Sequence, residues 1–156
     1  MYVFGESDDT TGNNDNNPNN PNTPTPTPTP DYRKYCSQLG HKYIRKTLQE
    51  LFFNTWQMYT GDEDNGQMSA WYLLSSMGLY NLSPGSGFYN IGSPLYEDIT
   101  ITINKKLNIY LHIIAKNQGP SNVYVKEVMF NNQLLMHNKI AYKELIQGGT
   151  LQFTMS

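Results

Sequence analysis

An α+β fold is predicted for this 156-residue chain: two helices, then an antiparallel β module, behind a disordered N-terminal tail. Three observations carry the prediction. Composition changes near residue 31, from Asn, Asp, Thr and Pro to a sequence rich in Leu, Ile, Tyr and Phe. The apolar residues that follow recur first at helical spacing. Beyond Pro84-Gly85 they alternate with polar ones, which is the period of a strand.

From Ser7 to Pro30 hardly any side chain is apolar, so the segment cannot bury enough surface to offset the entropy of ordering itself. Thr23 to Pro30 is an unbroken Thr-Pro alternation. Each proline sets its own φ and pushes its predecessor toward extended geometry, so this part reads as a stiff, hydrated spacer. Residues 1–31 are therefore expected to be a disordered Asn-rich and Thr-Pro linker. The remainder, roughly 125 residues, suffices for one modest core.

The first helix is expected over Gln38–Phe53. Ile44, Leu48, Leu51 and Phe52 fall on one face, with Arg45, Lys46, Gln49 and Glu50 on the other. A polar turn, Gly61-Asp-Glu-Asp-Asn-Gly66, leads into the second helix, Gln67–Met77. Asp64 or Asn65 is expected to cap its start, and Gly78 suits the left-handed position after its end. This helix is apolar or small on nearly every side and calls for burial all round. One amphipathic neighbour cannot provide that, which points to missing elements.

Strands follow at Ile99–Ile103, Leu107–Ile113 and Val123–Phe130, with Asn131-Asn132 as a hairpin turn. A short helix at Ile140–Ile146, stopped by Gly148-Gly149, precedes a last strand at Leu151–Met155. Regular spacing with turn signals between strands argues for an antiparallel sheet or sandwich.

Several classes are excluded. Only 11 Lys and Arg are scattered along a chain of net charge -2, without a basic stripe, so no nucleic acid is expected as partner. No apolar run reaches membrane-spanning length, so no membrane is expected either. Met1-Tyr-Val-Phe-Gly lacks the basic start and apolar stretch of a signal peptide. The one cysteine, Cys36, permits no internal disulfide and reads as an incidental thiol.

Asp62-Glu63-Asp64 is the only acidic cluster beside an apolar helix. Adjacent acids repel, and the arrangement persists where a metal, a hydrogen-bond network or a function compensates. In an extended segment Asp62 and Asp64 point to one side and Glu63 away. Two such carboxylates can orient and deprotonate a water molecule, the base half of an inverting glycosidase, whose acid sits about 6.5–9.5 Å away. Solvated turn acids near a helix N-terminus are the competing explanation. An EF-hand loop fails, because Gly66 comes one place too early and no Glu follows at the required spacing. His41, His112 and His137 share no metal-ligand spacing and read as structural or exposed. Trp71 and Tyr72 offer faces for a sugar but on such a helix belong more naturally to the core.

Gly61-Asp-Glu-Asp-Asn-Gly-Gln-Met-Ser-Ala-Trp-Tyr72 closely resembles a motif of glycoside hydrolase family 92. The resemblance continues through Ser76-x-Gly78-Leu-Tyr80, Pro84-Gly85-Ser-Gly87 and Tyr89-x-Ile-Gly92-Ser-Pro-Leu95. Ala115-Lys-Asn117, Asn122-Val-Tyr124-Val and Gly148-Gly-Thr-Leu-x-Phe153 extend it, so that it spans about residues 40–156. It implies part of a calcium-dependent exo-α-mannosidase that removes terminal mannose from glycans with inversion. Residues 32–80 would then be the terminal helices of an (α/α)6 barrel and 81–156 a C-terminal β module. By the same resemblance Asp64 is the general base, Asp62 its partner in orienting the attacking water, and Glu63 a supporting or structural residue.

The family's general-acid glutamate and most of its calcium ligands lie upstream of the motif, where this chain has the Asn-rich and Thr-Pro tract. Glu6 and Glu50 sit in no matching context, so neither an acid nor a metal ligand carries over. The expectation is a chain inactive alone, with mannose-containing glycans and the upstream remainder of the catalytic domain as partners. Calcium belongs to the complete enzyme, and an extracellular or secretory location is implied. The alternative is a non-catalytic carbohydrate-binding or structural β module on a flexible tether.

Overall fold

The computed structural model describes residues 32–156, with side chains from Ser37 onward. The expected linker over 1–31, Glu6 and the Cys36 side chain lie outside the described residues. Two helices come first, α1 (Tyr32–Glu50) and α2 (Gln67–Ser76), followed by β1 (Leu79–Tyr80), β2 (Phe88–Ile91), β3 (Asp98–Asn104) and β4 (Ile109–Lys116). The chain continues through β5 (Val125–Phe130), β6 (Gln133–Leu134), β7 (Lys139–Ala141), α3 (Tyr142–Leu145) and β8 (Gly149–Met155).

The strands form two sheets, one in the order β1-β2-β7 and one in the order β3-β4-β8-β5-β6. The second sheet is mixed. β8 runs parallel to β4 and antiparallel to β5, which corrects the wholly antiparallel module expected from sequence. Short strands joined by turns suggest hairpins, but β8 returns to the sheet after β5, β6, β7 and α3, and nothing local in its sequence announces its direction. Alternation still sets the faces. Leu111, Ile113 and Ala115 on β4 and Leu151, Phe153 and Met155 on β8 are buried, while Tyr110, His112 and Lys116 between them are not. These residues, with Val128, share one cluster with Leu79, Ile91 and Ile140 of the smaller sheet and Leu145 of α3. Asn131 and Asn132 both adopt positive φ (48° and 65°) and close the two-residue β5–β6 turn as expected.

The smaller sheet escaped the sequence reading because its strands are two to four residues long and carry no period. Part of the expected helix at 140–146 is β7, whose Ile140 pairs with Tyr89. On α1 the buried face comprises His41, Arg45 and Leu48, whereas Leu51 is exposed. Arg45 was expected on the polar side. Instead it is 2% exposed, and its guanidinium donates to the Pro94 carbonyl. Its long stem packs like an apolar side chain while one donor reaches an orphan backbone acceptor.

The second helix begins and ends close to expectation. Gly78 is left-handed (φ 76°), and its N–H donates to Ser75 O at 3.0 Å. Burial all round is not observed. Ser75 and Ser76 are the buried residues of α2, and Leu73 is 58% exposed. The described chain supplies no helix to cover that side.

Candidate active site

The segment between α1 and α2 carries the acidic turn. Phe52 and Tyr59 form an antiparallel bridge across it, and the Phe53 N–H donates to Met58 O at 3.0 Å. Phe52 stacks on Trp71 with centroids 5.5 Å apart, lies 4.9 Å from Tyr72 and meets Tyr59 edge-on at 5.9 Å. One aromatic cluster thus ties the end of α1 to α2, and Trp71 and Tyr72 are half-buried within it. The Tyr72 hydroxyl lies 3.0 Å from that of Tyr96. This contact, and burial after it, push the Tyr72 hydroxyl up to about 12.

The backbone then turns left-handed for three residues: Asp64 (φ 58°), Asn65 (φ 56°) and Gly66 (φ 96°). Glycine adopts this freely, whereas each of the other two costs about 1 kcal/mol. Glu63 holds the turn. Its carboxylate accepts from the Gly66 N–H, from the Ser69 N–H at 3.1 Å and from Ser69 Oγ at 2.8 Å. Its carbonyl accepts from the Met68 N–H at 3.1 Å. Successive turn N–H groups make a concavity suited to an anion, and here the anion is the chain's own Glu63. The Ser69 hydroxyl first, then the Gly66 and Ser69 amides, hold the Glu63 carboxyl below the usual carboxylate range against a smaller opposing effect of burial.

Two expectations are corrected. Neither Asp64 nor Asn65 caps α2; Gly66 is the N-cap residue, with no side-chain bond, and Glu63 satisfies the helix donors from three residues upstream. The left-handed backbone at Asp64 also removes the extended geometry from which Asp62 and Asp64 were expected to share a side. Both aspartates are exposed, and Glu63 between them is half-buried. Asp62 lines a cleft of about 680 Å³ formed by Phe53 and residues 55–63; Asp64 follows just beyond its lining. Trp56, 90% exposed, lines the same cleft, and it escaped the sequence reading because residues 56–60 follow no period. A larger cleft of about 780 Å³ lies between α1 and β5–β6, but Glu127 is the only acidic side chain in its lining, so it offers no carboxylate pair.

Among the described residues, no three His, Cys, Asp or Glu side chains converge as they would around a metal ion. The described residues thus gather no set of carboxylates that would cage a calcium ion. Glu50 is an exposed residue at the end of α1, 3.8 Å from Lys46. His41 is buried, whereas His112 and His137 are exposed. No described helix is long and apolar enough to cross a membrane.

Residues 34–156 match the glycosyl hydrolase family 92 catalytic domain. The chain belongs to glycoside hydrolase family 92. Among solved structures, a family 92 α-mannosidase of Bacteroides thetaiotaomicron is 36% identical with a TM-score of 0.68, over 74% of this chain and 15% of that one. The same enzyme is also known in complex with mannoimidazole. A family 92 inverting mannosidase of the same species is 32% identical with a TM-score of 0.69, over 77% of this chain and 16% of the other. An uncharacterized secreted glycosidase of the fungus Arthroderma benhamiae is 26% identical over 75% of this chain and 15% of its own length. The chain thus spans about one sixth of these family 92 relatives.

Proposed function

We propose that this family 92 chain is the base-side portion of an inverting exo-α-mannosidase, with Asp64 as general base and Asp62 as its partner in orienting the attacking water. The observation that carries the reading is the turn itself. Two exposed carboxylates flank a third that is tied down, so Glu63 is committed to structure while Asp62 and Asp64 stay open to solvent and substrate. Water would attack the anomeric carbon from the face opposite the leaving oxygen and pass its proton to Asp64 as the glycosidic bond breaks. The leaving oxygen needs a proton from a separate acid on the other side of the sugar.

The acid, the calcium and the walls of the mannose pocket are assigned to the remainder of the family domain. In this reading α1 and α2 are terminal helices of an (α/α)6 barrel, residues 81–156 are its β module, and residues 1–31 are a linker. The exposed Leu73 supports that arrangement, since an apolar face with no neighbour calls for a partner helix. The substrate class follows the mannosidase relatives, and an extracellular location follows the secreted fungal one. The match to the family's catalytic domain does not favour the alternative of a non-catalytic sugar-binding module.

The test is to fuse or mix the chain with an upstream family 92 barrel and measure mannose release from α-mannosides. Release should appear and fall about 10²–10⁴-fold in Asp64→Asn. A folded complex without release, or release indifferent to Asp64→Asn, sinks the reading.

A further inference from the structure

We propose that Tyr59, Ser69 and Glu63 form a hydrogen-bonded clamp whose task is to position the Asp62 and Asp64 carboxylates, a role that rests on those aspartates acting as the base side. Proton bookkeeping sets its direction. An ionised carboxylate only accepts, so the single Ser69 hydroxyl proton goes to Glu63 at 2.8 Å. Ser69 Oγ is then an acceptor on its other side, and the Tyr59 hydroxyl, 2.5 Å away, donates to it. Tyr59 itself is fixed by its edge-on contact with Phe52 and by the bridge between them. The relay therefore runs from the end of α1, through Tyr59 and Ser69, to the residue between the two aspartates.

Helix capping alone does not account for this arrangement. A cap satisfies donors of its own helix, and Glu63 does that through the Gly66 and Ser69 amides. Tyr59 belongs to no helix and adds nothing to α2's orphan donors. Its bond instead orients the Ser69 hydroxyl, and chains of such bonds strengthen each other. Left-handed Asp64 and Asn65 persist only where surrounding contacts over-determine them, and the clamp supplies those contacts. Asp62 and Asp64 are covalent neighbours of Glu63, so immobilising it confines both of their Cα atoms. The three clamp residues are positioning residues, because none of them needs to touch substrate.

The test uses the ¹⁵N-labelled full chain. In the wild type, the Asp64 and Asn65 amides should show order parameters near those of rigid backbone, about 0.85. Ser69→Ala, Glu63→Gln and the milder Tyr59→Phe should lower them toward about 0.6 while the melting temperature moves by only a few degrees. Ser69→Thr, which keeps the hydroxyl, should restore them. The Gly66 and Ser69 amide shifts should titrate together with Glu63, at a higher pH in Ser69→Ala than in the wild type. Unchanged order at Asp64 in all three variants, or a large drop in melting temperature with the turn still rigid, overturns the clamp. In the reconstituted enzyme, Ser69→Ala and Tyr59→Phe should reduce kcat about tenfold with KM unchanged, which is the mark of a lost transition-state interaction. If wild-type reconstitution releases no mannose, the base-side assignment falls, and the relaxation data alone decide whether the clamp holds the turn.

Discussion

The Val125 N–H donates to His41 Nδ1 at 3.3 Å, joining the first helix to the strand that precedes the β5–β6 turn. The bond requires an unprotonated Nδ1, and burial pushes the His41 ring below its ordinary value. A base with a lowered folded pKa favours the folded state while neutral. Stability should therefore be full above the unfolded value of about 6.5 and fall as pH drops toward the folded one. Urea unfolding between pH 8 and 5 should show that loss. His41→Gln should be less stable at pH 8 by about 1 kcal/mol and flatter with pH.

Glu63 gives the same sign in a lower window. Its carboxyl is lowered by the Ser69 and Gly66 bonds, so their contribution is complete above the ordinary glutamate value of about 4.3 and is lost as pH falls further. Hydrogen-exchange protection at the Gly66 and Ser69 amides, corrected for the intrinsic slowing of exchange in acid, should fall in that range in the wild type. Glu63→Gln should show no such step.

Gly78→Ala should destabilise the chain by about 2 kcal/mol in urea. The residue is left-handed, and an added Cβ would meet Pro94 Cδ at 3.0 Å and Phe153 Cζ at 3.1 Å. Neither neighbour yields readily, because Phe153 is wholly buried and Pro94 is held by the Arg45 guanidinium on its carbonyl.

In the shared core, Phe153→Ala should cost about 3–5 kcal/mol and Ile113→Val about 0.5–1.5 kcal/mol. Both side chains have no exposed surface, so the first leaves a cavity and the second removes a single methylene. A Phe153→Ala variant melting within a few degrees of the wild type would contradict the position of the core.

Leu73→Lys separates the chain alone from the proposed barrel. Leu73 is 58% exposed, so the change should stay within about 0.5 kcal/mol in the isolated chain. In the reconstitution with an upstream barrel it should suppress complex formation, read by analytical ultracentrifugation. Unaltered assembly would mean that this face of α2 is not where the remainder docks.

Much of this was legible because it is local. The limits of α2, its left-handed Gly78, the Asn131-Asn132 turn and the buried alternation on β4 and β8 all follow from short-range periodicity and turn chemistry. The small sheet and the direction of β8 were not legible, since strands of two to four residues carry no period and pairing partners lie far apart in sequence. Arg45 shows the same limit. Periodicity places it on the polar side of the helix, and only the packing of the Pro94 carbonyl against α1 makes it a core residue.

By itself the sequence determined the α+β class, the family and the acidic turn, because these rest on composition, period and a contiguous motif. Only the tertiary structure decided which of the three acids is tied down and which stay exposed. Three consecutive left-handed residues and the meeting of Tyr59 with Ser69 give Glu63 to the backbone and leave Asp62 and Asp64 exposed. The physical reason is that a carboxylate's role depends on which donors converge on it, and those on Glu63 come from residues three and six positions along the chain, the Ser69 hydroxyl being oriented in turn by Tyr59.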